Sequence, residues 1–194
     1  RRERRRDRPP EGRAEAVPLP VKQVSVNLGA PGFRQDEQGN LWIPYPARVD
    51  AGLLGDWLPS YQHDESMCYR LPELHTTIAG TDAPWVYTCG YAHDKPLRFR
   101  MARNGAPPAE YTVTLFFAEP QEIRPGKRLF KVYLQGKPVL EDFDVVEAAG
   151  GPRRALTKRF EGIRVDAELE IRLEPSAEAA LRSPLLCGFR AVRQ

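Results

Sequence analysis

An all-β fold, an antiparallel β-sandwich in a jelly-roll arrangement, is what this sequence predicts. Three observations predict it. Several segments alternate apolar and polar residues with a period of two, the signature of sheets with one face on a core and one in water. Nineteen prolines and fifteen glycines cut the chain into short pieces, which favours strands over helices. The run from Tyr111 to Phe160 reads as consecutive strands joined by turns. About eight or nine strands packed as two sheets is the economical solution.

In chain order, Val21–Leu28 is the first expected strand. Pro31–Thr81 is then a long loop insertion, holding Trp42, Tyr45, Trp57, Tyr61 and Tyr69 among prolines, glycines and aspartates. Trp85–Thr88 is a further expected strand. In Leu97–Met101, the residues Leu97, Phe99 and Met101 point one way and Arg98 and Arg100 the other. Tyr111, Val113, Leu115 and Phe117 share one face, opposite Thr112 and Thr114. Phe130, Val132 and Leu134 alternate with Lys131, Tyr133 and Gln135, and a hairpin centred on Gly136 and Lys137 follows. One or two helical turns are expected near Asp144–Ala149. Leu169, Ile171 and Leu173 form the inner face of another strand, and Leu185–Val192 is the last.

The chain has 194 residues, the length of one domain. With 41% hydrophobic and 28% charged residues it is globular rather than disordered. It contains no apolar run of about 18 residues, so no membrane-spanning helix is expected. No signal peptide pattern opens it. Arg1 stands where a methionine would, so the chain reads as a piece of a larger precursor with any export signal upstream. Residues 1–20 read as a basic, proline-rich linker or tail, and 21–194 as the folded domain. The run Arg1–Arg8 could meet phosphates, but block charge followed by prolines is better read as a solvated linker. The net charge of +3 is too small to argue for nucleic acid.

Three cysteines cannot close a disulfide framework. Cys187 lies in an apolar run and reads as a buried thiol. A Cys68–Cys89 bridge stays open at this level. No pair has CxxC spacing, so zinc is not expected.

The sheet-forming half resembles the malectin family of carbohydrate-binding domains. The matching pieces are Leu115-Phe-Phe-Ala-Glu119, Phe130–Gly136, Val139–Asp144, Gly150-Gly151, Leu169–Leu173 and Pro184-Leu-Leu-Cys-Gly-Phe189, in the family's order. The segment Gly39-Asn-Leu-Trp-Ile-Pro-Tyr-Pro46 is similar to a bacterial branch appended to large exported β-propeller proteins. The resemblance implies a galactose-binding-domain-like jelly roll, an extracytoplasmic location, carbohydrate binding and no catalysis. Two aromatic residues of the animal ligand site match Gln121 and Glu122 here, and its aspartate matches Arg182. These substitutions argue against the same glucosyl ligand. A tyrosine of that site is matched by Tyr87 or Tyr91.

Sugar recognition needs an apolar ring face and a few fixed donors and acceptors. Tyr87, Tyr91, His93 and Asp94 offer both within a short span, as do Trp57, Tyr61, His63 and Asp64 in the long loop. The competing reading is that such aromatics are lids on the core. Phe116 falls on the solvent side of its strand, so it either packs under the long loop or lines a groove. Enzyme readings find little: His63, His75 and His93 form no metal-ligand motif, and neither a Gly-x-Ser-x-Gly elbow nor a phosphate loop is present. Asp142 and Asp144 could be a carboxylate pair or calcium ligands, but capping the turn after their strand is the preferred role. The expectation is a non-catalytic carbohydrate-binding module with no cofactor, no metal and no nucleic-acid partner. The alternative is a structural or interaction domain that docks onto its parent protein or complex.

Overall fold

The computed structural model describes residues 18–46 and 65–194. Within them the strands are β1 (Gln23–Leu28), β2 (Arg34–Gln35), β3 (Leu41–Tyr45), β4 (Cys68–Arg70), β5 (Cys89–Tyr91) and β6 (Leu97–Arg100). Then come β7 (Ala109–Phe117), β8 (Phe130–Leu134), β9 (Lys137–Phe143), the short helix α1 (Val145–Ala149), β10 (Leu156–Val165), β11 (Glu168–Pro175) and β12 (Gly188–Arg193). One sheet has the order β10-β7-β12-β1-β3-β2 and the other β6-β11-β8-β9, while β4 and β5 form a separate ribbon. All strand pairs are antiparallel except β1 with β3.

The alternating residues meet between the two large sheets. Tyr111, Val113, Leu115 and Phe117 of β7 pack there with Phe130, Val132 and Leu134 of β8 and Leu169, Ile171 and Leu173 of β11. Each is at most 1% exposed. Burial of this kind contributes about 1.5–3 kcal/mol per large side chain, so the period of two is also the main source of stability. The backbone approach is closest at Gly188 of β12, where a Cβ would lie 2.4 Å from the Val26 carbonyl oxygen.

The outer face of the six-stranded sheet carries a second, smaller cluster. Phe116 packs edge-on against Trp42 at 5.1 Å, with Trp85 and Tyr87 beside them. The cover over Phe116 is the segment Pro84–Tyr87, so the residue is packed rather than lining an open groove. That segment is not the expected strand: Pro84–Val86 is a 3₁₀ turn, opened by proline, and the strand begins at Cys89. The hairpin is also displaced by one residue. Leu134 pairs with Lys137, so Gln135 and Gly136 are the central residues. Both have positive φ, 51° and 73°, as a type I′ turn requires. Gln135 is held there by its own side chain, which accepts from the Glu170 amide at 2.6 Å and donates to the Glu168 carbonyl at 3.2 Å. The Pro31–Thr81 stretch contributes three strands, β2, β3 and β4, where a loop was expected.

The helix forms as expected. Asp144 caps it, accepting from the amides of Val146 at 2.8 Å and Glu147 at 3.1 Å, and Gly150 closes it in the left-handed conformation. Asp144 also accepts from Gly126, and Asp142 accepts from the Ser176 hydroxyl at 3.0 Å. Both carboxylates are therefore engaged in holding turns. Cys68, Cys89 and Cys187 form no disulfide with one another. Cys68 pairs with Tyr91 and Cys89 with Arg70, so Cys68 and Cys89 are diagonal neighbours, about 7–8 Å apart by ladder geometry and outside disulfide reach. Among the described residues, no helix is long and apolar enough to cross a membrane.

Candidate functional site

Two connections meet at one end of the sandwich. The β7–β8 connection runs from Ala118 to Leu129 and the β11–β12 connection from Ser176 to Cys187. Backbone bonds tie them together: the Leu181 amide donates to the Lys127 carbonyl at 2.8 Å and the Ser176 amide to the Leu129 carbonyl at 2.9 Å. Between them and β4 lies a pocket of about 310 Å³. Tyr69, Leu71, Leu181 and Leu185 supply its apolar wall, and Gln121, Arg128, Arg182 and Ser183 its polar groups.

A buried ion pair sets the floor. Arg128 Nε donates to Glu119 Oε2 at 2.8 Å, with side-chain exposures of 7% and 1%. Arg128 Nη1 donates to the Ser183 carbonyl, which joins the two connections from beneath. Glu119 Oε1 accepts from the Gln121 amide at 3.1 Å and so places Gln121 on the rim. Tyr69 is seated over Gly90, where an added Cβ would lie 2.7 Å from its ring. Its hydroxyl is 3.4 Å from Cys187 Sγ. Burial, with the Cys187 thiol next in importance, pushes that hydroxyl well above its usual range, and burial likewise pushes the Cys187 thiol up to about 11. Both stay neutral near pH 7, so the pocket wall carries no thiolate or phenolate.

Of the residues singled out from the sequence, Gln121 and Arg182 are brought to the same pocket although they belong to different connections. Glu122 stays outside it and faces Arg153 at 3.4 Å. Tyr91 is 0% exposed and its hydroxyl donates to the Lys95 carbonyl at 3.0 Å. Tyr87 is 5% exposed and packs near Phe116. Both tyrosines therefore serve the packing and present no open ring face, because the strand end that carries them is roofed by its neighbours. His93 is partly exposed; its Nδ1 accepts from the amides of Asp94 at 2.9 Å and Lys95 at 3.1 Å, shaping a turn next to the pocket residue Ala92. Trp57, Tyr61, His63 and Asp64 lie outside the described residues. Sequence reasoning missed Tyr69 and Arg128. Tyr69 could have been found as the aromatic of a short Cys-Tyr-Arg strand, whereas nothing in Gly126-Lys-Arg-Leu129 marks Arg128 as the buried arginine.

A second cavity of about 200 Å³ lies between Trp42 and Trp85. Its polar groups are already matched within the chain. Arg34 grips Glu73 through two 2.6 Å bonds at the mouth. At the base the Cys89 thiol donates to Asn27 Oδ1 at 2.9 Å, while Asn27 Nδ2 donates to the Val86 carbonyl at 2.8 Å. Among the described residues, no group of three or more His, Cys, Asp or Glu side chains could hold a metal ion.

Comparison with known proteins agrees with the architecture. The ANXUR1 extracellular domain from Arabidopsis thaliana superposes with a TM-score of 0.65 at 14% identity, over 88% of this chain and 47% of that one. A β-glucuronidase from Bacteroides uniformis superposes with a TM-score of 0.64 at 21% identity, over 89% of this chain and 18% of that one. At such identities the likeness shows the fold alone. A probable leucine-rich repeat receptor-like serine/threonine-protein kinase of Arabidopsis thaliana is 35% identical over 81 residues, 39% of this chain and 8% of the kinase. The chain thus spans a small part of that relative and less than half of these solved neighbours. The profile of the malectin domain matches residues 24–182, most of the chain. This protein belongs to the malectin domain family.

Proposed function

We propose that this malectin domain is a non-catalytic carbohydrate-binding module of a larger, exported bacterial protein, and that the sugar sits in the pocket between the β7–β8 and β11–β12 connections. The observation that carries the reading is the convergence of Gln121 and Arg182 on one 310 Å³ pocket beside Tyr69. Those are two of the positions at which the family resemblance places ligand contacts, the others being Glu122, outside the pocket, and the buried Tyr87 or Tyr91. The pocket joins an apolar wall to fixed polar groups, the combination a pyranose needs. An extracytoplasmic location is supported by the extracellular domain among the structural neighbours. The test is a glycan array followed by calorimetry on the whole chain. Binding of a saccharide that weakens in Gln121→Ala supports the reading; no binding of any glycan at about millimolar concentration would sink it.

A second reading has its own observation. Tyr87 and Tyr91 are buried, and Gln121 and Glu122 stand where the animal site has aromatics, so among the described residues the loop end offers no broad stacking platform. On this reading the domain docks onto its parent protein or complex through the same end. One neighbour is described as part of a complex of the plant peptide RALF23 with FER and LLG2. Co-purification with the parent chain, with the loop end protected from hydrogen exchange, would favour docking over sugar.

A further inference from the structure

The charges on the described lining of the pocket are of one sign. Of the described residues that line it, Arg128 and Arg182 are charged and neither Asp nor Glu is present. Arg128 is 6% exposed, yet it lines the cavity. Glu119 balances it from beneath. The bonds to Glu119 and Ser183 still leave further N–H donors of the five a guanidinium carries. Arg182 is exposed, donates one bond to the Ala177 carbonyl at 3.2 Å and is opposed by no carboxylate among the described lining residues. Beyond the lining, the two connections carry exposed charges of both signs, Arg124 and Lys127 beside Glu122 and Glu178.

From this we infer that the ligand of the pocket is an acidic saccharide, whose carboxylate is received by Arg182 and the free edge of Arg128 while its ring lies against Tyr69 and Leu181. The inference rests on the carbohydrate reading above. A planar guanidinium offers parallel N–H donors that fit a carboxylate with two bonds. A ligand carboxylate would also pair with the Arg182 charge, which a neutral sugar cannot do. Gln121, with one donor and one acceptor group, suits the adjacent hydroxyls.

The experiment compares a uronic acid trisaccharide with the same trisaccharide after reduction of its carboxyl groups, by calorimetry at about 0.15 M salt. A sulfated dextran serves as the unspecific polyanion. The acidic trisaccharide is expected to bind at least about tenfold more tightly than its reduced form, with the advantage lost in Arg182→Gln, the cost of removing one charge-assisted bond. Arg103→Gln removes the same charge at the opposite end of the sandwich and is expected to change nothing. Equal binding of the two trisaccharides would overturn the inference and leave the carbohydrate reading standing. Preference for the acid that survives in Arg182→Gln, or sulfated dextran binding as well as the uronate, would also overturn it. Binding of none of the three, together with a blank glycan array, would remove both.

Discussion

Arg128 and Glu119 form a 2.8 Å ion pair in which neither side chain is more than 7% exposed. The pair ties the end of β7 to the start of β8 and, through Ser183, to the approach to β12. Removing one partner of a buried pair strands the other charge away from water. Arg128→Met is therefore expected to lower stability by about 3–5 kcal/mol in urea denaturation. The double variant Arg128→Met with Glu119→Gln should recover a good part of the loss. Additive losses would mean that the two side chains are not energetically coupled.

Two glycines should behave oppositely. At Gly188 a methyl group would lie 2.4 Å from a main-chain oxygen of β1, which cannot swing away as a side chain can, whereas at Gly32 it would meet nothing within 4 Å. Gly188→Ala is expected to cost about 1–3 kcal/mol or to shift the β1–β12 pairing, and Gly32→Ala to stay within about 0.5 kcal/mol of the parent. Thermal melts of the two variants decide it; matching melting temperatures would contradict the close approach.

Acid should expose one contribution. Burial raises the Asp36 carboxyl, but bonds from Trp42, Asn40 and Arg190 outweigh it and hold the group at about 2, below the ordinary 3.8. A depressed carboxyl stabilises the folded state above its unfolded value and ceases to do so as pH falls through the folded value. The contribution, about 1–2 kcal/mol after allowance for screening by water, is expected to be complete above pH 4 and to vanish towards pH 2. Asp36→Asn should therefore be the less stable protein at pH 6 and nearly equal to the parent at pH 2. A stability gap independent of pH would refute this.

Tyr91→Phe separates packing from binding. The hydroxyl bond to Lys95 is lost, at a cost of about 1 kcal/mol, but the ring remains at the core and the pocket is untouched. Saccharide affinity is expected to be unchanged, while Gln121→Ala weakens it with little effect on stability. The reverse pattern would restore Tyr91 as a ligand contact.

The inward faces of β6, β7, β8 and β11 could be read directly, because strict alternation is itself the physical condition for a half-buried strand. β10 was not legible. Its register shifts between Phe160 and Ile163, where Gly162 takes a φ of 64°, and one extra residue switches which side chains face inward. The turn at Pro84–Val86 was misread because Trp85, Val86 and Tyr87 have strand-like side chains while the proline fixes the backbone otherwise. At the site, the positions Gln121 and Arg182 came from resemblance. That they face each other across one pocket depends on the tie between Leu181 and Lys127, a contact between distant segments that no local pattern encodes.

The most direct test of the sugar seat is a titration of isotope-labelled protein with the best saccharide of the array, followed by two-dimensional amide NMR. Shifts are expected to concentrate at the amides of Tyr69, Gln121, Leu181, Arg182, Ser183 and Leu185. Shifts centred on Trp42 and Trp85, or spread evenly over the surface, would contradict it.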